Sequence, residues 1–388
     1  MPTSPDNPTA IPPDGDPFPA AGGAAQQPPA ATYSMSAGLP GFLGANGIAL
    51  AVSSYQSGKF YLLGQNADGG LLVHERFFRK AMGIAVPEPG TIILATLFQL
   101  ITFRDVLEPG QRINGLHDAC YVPREMHVTG ELDTHDVGRL ADGRTLFVNT
   151  GYNCLATPSP RHSFTPVWKP PFISAIVKED RCHLNGLAME EGAPRYVTAV
   201  SRSDTIDGWR DRRADGGVVI DVASDAIVAG GLSMPHSPRL HRGRLWLLNS
   251  GTGELGWVEP GATQAQGRFH AIAFCPGFLR GLGFCGRYAF VGLSKPRHQR
   301  FEGLALDQRL ADSDSEPWCG VQVIDLDTGA CVQWFRIDGV VTELYDVAVV
   351  PGAVRPMALG FASGEIMGFV THDPLGRAAA DRSGSDPR

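Results

Sequence analysis

The chain has 388 residues, with 33 Lys and Arg against 40 Asp and Glu, which gives a formal net charge of −7. This mildly acidic balance excludes a general electrostatic attraction to nucleic acid, which requires a basic face. Hydrophobic residues make up 43% of the chain, which is enough for a folded core. No apolar run approaches the roughly 20 residues of a membrane-spanning helix. We therefore expect a folded protein with no nucleic-acid and no membrane partner.

The N-terminal residues, which begin MPTSPDNPTAIPPDGDPFP, lack the basic and apolar regions of a secretory signal. The seven cysteines are scattered and form no CxxC pair, so neither a zinc knuckle nor a disulfide framework is indicated. These features predict a cytoplasmic protein. The composition predicts disordered Pro-, Ala- and Gly-rich tails at residues 1–36 and 373–388, on either side of a single domain over residues 37–372.

Short strand-like segments dominate the chain from about Gly47 onward. They include GIALAVSSY, KFYLLGQ, TIILATL, RYVTAVS and RLWLLNSG. Each has the length and the β-branched or aromatic content of a strand, and turn residues close many of them. Long amphipathic helices are absent from the pattern, so the sequence predicts an all-β protein.

The strand-like segments recur in groups of four, and each group opens with a similar small-residue segment. These opening segments are MGIAV at 82, HDVGRL at 135, HLNGLAM at 183, HSPRL at 236, RGLGF at 280 and YDVAVV at 345. Propeller blades of four strands take roughly 40–50 residues. We therefore predict a six-bladed β-propeller, closed by pairing of the N-terminal strands with a C-terminal strand. Two stacked β-sandwich domains would explain neither the spacing nor the surplus strands before residue 82.

In a propeller, the innermost strand of each blade starts on one face, beside the central channel. The loops between second and third strands emerge on that same face. The predicted channel-lining residues at the strand starts are Met82, His135 with Asp136, His183 with Asn185, His236, Arg280, and Glu343 with Asp346. Long insertions are predicted in second-to-third-strand loops at Gly151–Pro171, Arg202–Gly216 and Lys295–Gly320. Long loops in a compact domain are often functional, so we expect the site on this face.

Three imidazoles, His135, His183 and His236, are predicted at equivalent places in consecutive blades. Neutral imidazole binds iron, zinc or copper, and Glu343 or Asp346 could add a carboxylate ligand or act as general base. A calcium ion on Asn185, Glu343 and Asp346 is a variant of this hypothesis. The structural alternative is that each histidine only hydrogen-bonds the neighbouring loop backbone.

Arginines also concentrate near this predicted face. Arg280 is the candidate substrate anchor, because a guanidinium pairs well with carboxylate or phosphate. The remaining arginines are Arg202, Arg210, Arg212, Arg213, Arg297 and Arg300. Those in the loop are interpreted as neutralised by the aspartates of that loop, Asp204, Asp207, Asp211 and Asp215. The aromatic segment SFTPVWKPPF is interpreted as packing on a neighbouring blade rather than as a pocket wall.

Several motifs resemble those of a bacterial family of conserved hypothetical proteins that carry a domain of unknown function. The motifs include WKPPF (168–172), EDRCHLNG (179–186), MPHSPR (234–239) and ELYDV (343–347). The resemblance extends over roughly residues 36–360. It implies kinship with that family and assigns no catalytic residue.

These features predict a metal-dependent enzyme that acts on a small polar or anionic substrate at the mouth of the channel. The metal would be bound by His135, His183 and His236, with Glu343, Asp346 and Arg280 in catalytic roles. Hydrolysis and oxygen chemistry are not distinguished, nor are iron, zinc, copper and calcium. The alternative is a non-catalytic propeller that binds a peptide, glycan or protein partner. A third possibility is a subunit of a larger biosynthetic assembly.

Overall fold

A computed structural model describes residues 31–263, 266–297 and 300–373 of the chain. Its strands form six sheets, and in each sheet four consecutive strands are antiparallel. All six segments predicted to open a blade lie at the inner strands of these sheets. The prediction of a six-bladed β-propeller is therefore confirmed.

Blade 1 combines strands from both ends of the chain. Its strands, from the channel outward, are β25 (Asp346–Pro351), β2 (Ile48–Ser54), β3 (Lys59–Gln65) and β4 (Leu71–Phe77). The inner strand β25 pairs with β2 over six residue pairs, from Ile48 with Pro351 to Ser53 with Asp346. The predicted closure is thus observed, and it leaves no open edge between the first and last blades.

The other five blades follow the chain in order. Blade 2 contains β5 (Ile84–Ala85), β6 (Thr91–Ala95), β7 (Gln99–Asp105) and β8 (Ala119–Val128). Blade 3 contains β9 (Thr134–Arg139), β10 (Thr145–Asn149), β11 (Cys154–Thr157) and β12 (Thr165–Trp168). Blade 4 contains β13 (Leu184–Glu190), β14 (Ala193–Ala199), β15 (Gly217–Asp221) and β16 (Ile227–Leu232). Blade 5 contains β17 (Pro235–His241), β18 (Arg244–Asn249), β19 (Glu254–Glu259) and β20 (Arg268–Phe274). Blade 6 contains β21 (Phe278–Cys285), β22 (Tyr288–Ser294), β23 (Cys319–Asp325) and β24 (Cys331–Asp338).

Two further strands extend the outer edges of blades. Strand β1 (Thr32–Met35) pairs with β24 of blade 6, although it lies within the predicted N-terminal tail. Strand β26 (Pro356–Ala358) adds in parallel to β8 of blade 2. Residues 1–30 and 374–388 of the predicted tails lie outside the described residues.

The described residues also form three short α-helices, which are α1 (Leu39–Ala45), α2 (Ala305–Asp312) and α3 (Glu365–Gly368). Three 3-10 turns complete the described elements, at Thr150–Tyr152, Arg210–Arg212 and Ser250–Thr252. No helix in the described ranges is long and apolar enough to cross a membrane. All seven cysteines are free thiols, and five of them are buried.

The core lies between neighbouring blades. In β2, Leu50 and Val52 pack toward blade 6, whereas Ala49 and Ala51 pack toward blade 2. Comparable clusters join each of the other neighbouring pairs of blades. Because both faces of such a strand are buried, its sequence is a continuous apolar run rather than an alternating one.

Two of the three predicted insertions lie where they were expected. Residues 200–216 connect β14 to β15, and residues 295–318, which include α2, connect β22 to β23. The prediction for Gly151–Pro171 is wrong, because this range contains β11 and the edge strand β12. The four residues of β11 are too short a strand to stand out in the sequence. Trp168 of β12 donates from Nε1 to Asp225 of blade 4 at 2.7 Å, which supports its interpretation as packing on a neighbouring blade.

An ion-pair triad crosses the central channel. Arg239 of blade 5 donates to Asp136 of blade 3 at 2.7 Å, and its second nitrogen lies 3.8 Å from Asp346 of blade 1. Each carboxylate also accepts a backbone N–H from the next blade, Asp136 from Leu187 at 2.9 Å and Asp346 from Ile84 at 2.8 Å. Burial raises the pKa of Asp346 to about 7, although the charge of Arg239 opposes this shift. The triad therefore fixes the blades relative to one another around the channel.

We expect Arg239→Met to lower the free energy of unfolding by about 3–5 kcal/mol, because it leaves the Asp136 carboxylate buried without its partner. Urea denaturation followed by circular dichroism measures this change. The matched control is Arg242→Met, which removes an exposed pair with Asp327 and should cost less than about 1 kcal/mol. Equal losses in the two variants would contradict a stabilising role for the triad.

Candidate functional site

A cavity of about 460 Å³ opens at the channel mouth where the inner strands begin. Apolar walls come from the two insertions and from the strand starts, and polar groups lie among them. The apolar residues are Trp209, Met234, Phe278, Phe301 and Leu304, and the polar residues include His183, Arg213, Arg280 and Glu343. The structure thus places the insertions and the polar centre on one face, as predicted.

Five polar side chains occupy equivalent positions at this mouth. They are His135, Asn185, His236, Arg280 and Tyr345, in blades 3, 4, 5, 6 and 1. In three blades, the backbone carbonyl of the residue just before this position accepts a hydrogen bond. The donor is a side-chain hydroxyl at the end of the second strand of the preceding blade. These hydroxyl donors and carbonyl acceptors are Thr150 with Leu184, Ser250 with Leu279, and Ser294 with Leu344. This repeated hydrogen bond establishes the equivalence of Asn185, Arg280 and Tyr345.

His183 is not at the equivalent position, which corrects the sequence prediction. Asp133, His183 and Met234 have φ of 55°, 51° and 47°, so each adopts the left-handed conformation just before its inner strand. Asp133 and Met234 lie two residues before the equivalent imidazoles, and so His183 lies two residues before Asn185. The bend still brings His183 beside His135, with ring centroids 4.8 Å apart.

Each of the three imidazoles contacts an acceptor through Nδ1. The acceptors are the Asp133 carbonyl for His135 at 3.0 Å, the Asp180 carboxylate for His183 at 2.6 Å, and the Met234 carbonyl for His236 at 2.8 Å. A carbonyl or an ionised carboxylate can only accept, so Nδ1 must carry the proton. In the neutral ring the lone pair is therefore on Nε2. His135 and His236 thus bond the loop backbone as the structural alternative predicts, whereas His183 bonds a carboxylate. In each ring these contacts leave Nε2 available.

Burial keeps His135 and His236 neutral. It lowers the pKa of His135 to about 4. It lowers the pKa of His236 well below the usual value, and the charge of Arg280 adds to this shift. Nε2 of His236 is buried and has no hydrogen-bond partner among the described residues. A ligand with a hydrogen-bond donor could satisfy this acceptor.

Arg280 is the central cation of the site. It is 9% exposed, and its guanidinium lies 5.0 Å from the Tyr345 ring centroid and 5.6 Å from that of Phe278. Its Nε is buried without a hydrogen-bond partner, and no carboxylate of the described ranges forms an ion pair with it. A largely buried guanidinium without an ion-pair partner favours an anionic ligand.

Glu343 supplies the carboxylate that faces this cation. One oxygen accepts from Nε of Arg297 at 2.9 Å, while Oε1 is buried without a partner in the described part of the chain. Burial raises the pKa of Glu343, although the charges of Arg280 and Arg297 oppose this shift. Glu343 lines the cavity, whereas Asp346 takes part in the triad with Arg239.

The described residues contain no group of three or more His, Cys, Asp or Glu side chains arranged to hold a metal ion. The imidazole lone pairs fit metal ligation chemically, since a ligating histidine commonly donates its other N–H to a carbonyl or carboxylate. Their arrangement, however, does not form a complete ligand set.

The sequence interpretation missed Tyr345 and Trp209. Tyr345 contacts His135, with ring centroids 5.4 Å apart, and the repeat itself could have identified it because YDVAVV opens a blade. Trp209 stacks on His183, with ring centroids 4.2 Å apart. It lies inside an insertion, where no repeat predicts the position of a side chain.

The chain belongs to the family described as a domain of unknown function (DUF4915). The model of this family matches residues 37–359. This agrees with the resemblance that the motifs indicate. No curated protein sequence is significantly similar to the chain.

Solved structures with similarity to the chain include three crystal structures. A nidogen/laminin complex matches at 11% identity and a TM-score of 0.49, covering 79% of this chain and 99% of that one. Virginiamycin B lyase from Staphylococcus aureus matches at 9% identity and a TM-score of 0.37, again covering 79% and 99%. A protein of unknown function from Bacteroides caccae matches at 8% identity and a TM-score of 0.35, covering 78% and 98%.

We expect His236→Gln to change how stability depends on pH. The folded wild type keeps His236 neutral, whereas its unfolded chain binds a proton below about pH 6.5. The wild type should therefore lose about 2 kcal/mol more than the variant between about pH 7.5 and about pH 5. Urea denaturation in buffer with a chelator measures the difference. His127→Gln, on an exposed strand end, is the control, and parallel pH profiles for wild type and His236→Gln would contradict the assignment.

Proposed function

We propose that the mouth of the channel is the active site of an enzyme that binds a small anionic molecule and transfers a proton to or from it. One observation carries the proposal: the Arg280 guanidinium is largely buried, has no carboxylate partner among the described residues, and lines a cavity of about 460 Å³. A carboxylate or phosphate oxygen would replace the water that this cation loses on burial.

The groups around Arg280 support different roles in binding and proton transfer. Nε2 of His236 accepts a hydrogen bond from a hydroxyl or amine of the substrate and so orients it. Glu343 is the general base, because its Oε1 has no partner in the described ranges and burial raises its pKa. A raised carboxylate pKa brings proton transfer closer to neutral pH. The aromatic surface of Trp209 supports the apolar part of the substrate.

The role of Arg280 is tested by binding of small anions to wild type and to Arg280→Gln. We expect at least one of pyruvate, glycolate, citrate and inorganic phosphate to bind the wild type, and Arg280→Gln to bind it at least about tenfold more weakly. Isothermal titration calorimetry measures the affinity. Arg144→Gln changes an exposed arginine and is the control. Equal affinity in wild type and Arg280→Gln would refute the anchor role.

Turnover distinguishes the enzyme from a binding module. We expect the wild type to exchange C–H protons of a bound 2-oxo acid with D2O, as followed by NMR. The Glu343→Gln variant should bind that acid with similar affinity and exchange it at least about a hundredfold more slowly. Binding without exchange or product formation in the wild type would instead support the non-catalytic alternative.

A metal-dependent form of the same enzyme is the second candidate, and the Nε2 lone pairs of His135, His183 and His236 favour it. A bound divalent ion would supply Lewis-acid activation of substrate or water. This candidate requires the imidazoles to rearrange, because their present arrangement does not form a ligand set.

Elemental analysis tests the metal candidate. After growth with iron, zinc, copper, manganese and calcium, the candidate predicts about one bound ion per chain. It also predicts loss of that ion in His183→Ala and His236→Ala without loss of the cooperative melting transition. The His127→Ala variant is the control. Metal-free wild-type protein after supplementation would eliminate this candidate and leave the proton-transfer proposal intact.

A further inference from the structure

All four carboxylates that line the cavity have a cationic or imidazole neighbour. The pairs are Asp133 with Lys80, Asp180 with His183, Glu302 with Arg300, and Glu343 with Arg297. The cavity carboxylates are therefore already engaged. Two other lining cations pair with carboxylates outside the cavity, Lys295 with Asp338 and Arg210 with Asp207.

Two lining guanidiniums form no ion pair with any carboxylate in the described ranges, Arg280 and Arg213. The sequence interpretation expected Arg213 to be neutralised by an aspartate of its own loop. Instead, Arg213 donates to the carbonyls of Arg210 at 3.0 Å and Glu302 at 3.4 Å. Backbone carbonyls orient the guanidinium without cancelling its charge.

The two guanidiniums differ in depth and surroundings. Arg280 is largely buried beneath Phe278 and Tyr345, whereas Arg213 is half-buried and contacts the segment around Glu302. The apolar side chains of Trp209 and Met234 line the same cavity. The cavity thus offers two cationic contacts at different depths, with apolar surface along its walls.

We infer that the ligand of this cavity is dianionic, with one acidic group on Arg280, a second on Arg213, and a short hydrocarbon spacer between them. This inference rests on the proposed function and specifies its substrate class. Two cations without an ion-pair partner in one cavity favour a ligand with a negative group for each, because a single negative group would leave the other cation unpaired.

Calorimetric titration with two series of acids tests this inference. The dicarboxylates run from malonate to pimelate, and the monocarboxylates from propionate to heptanoate, so that each diacid has a partner of equal chain length. We expect one diacid to bind the wild type at least about tenfold more tightly than its partner. Arg213→Gln should abolish this preference while retaining monoacid binding, whereas Arg280→Gln should weaken both.

Arg212→Gln is the control, because it changes a neighbouring exposed arginine that does not line the cavity. Arg213→Lys retains the charge and should keep part of the diacid preference. Thermal melting establishes that every variant is folded. Equal binding of diacids and monoacids, with no effect of Arg213→Gln, would overturn the inference while the Arg280 anchor remains. If no acid depends on Arg280, the proposed function fails as well.

Discussion

The site depends on the closure of the ring by β25. This strand comes from the C-terminal part of the chain, yet it lies innermost in blade 1 and pairs with β2. Closure brings Tyr345 and Glu343 close to Arg280 of blade 6 and brings Tyr345 against His135 of blade 3. Residues more than 200 positions apart in the chain therefore share one cavity, as Asp133 and Glu343 do.

The two layers of polar residues in the channel have different roles because they are satisfied differently. In the deeper layer, Arg239 pairs with Asp136 and Asp346, and both carboxyl groups also accept hydrogen bonds from the backbone of neighbouring blades. At the mouth, by contrast, His236, Arg280 and Glu343 each keep a buried polar atom without a partner in the described residues. Buried polar atoms are costly unless paired, so the unsatisfied layer is where a ligand is expected to bind.

The sequence was sufficient to predict the blade count, the closure and the face on which the candidate site lies, because these depend on a repeat spread over the whole chain. Its spacing could not show that His183 precedes the equivalent position by two residues, since a left-handed backbone turn decides this. Nor could it show that Arg239 reaches across the channel to Asp136, or that Trp209 stacks on His183. Those contacts depend on side-chain placement between blades that no local pattern encodes.

The most direct test of the account is a crystal structure of the protein with bromide ions, located by their anomalous scattering. The account predicts a bromide beside the Arg280 guanidinium, in a ring closed by pairing of residues 346–351 with residues 48–54. A ring closed in another way, or bromide sites elsewhere with Arg280 paired to a carboxylate, would contradict it.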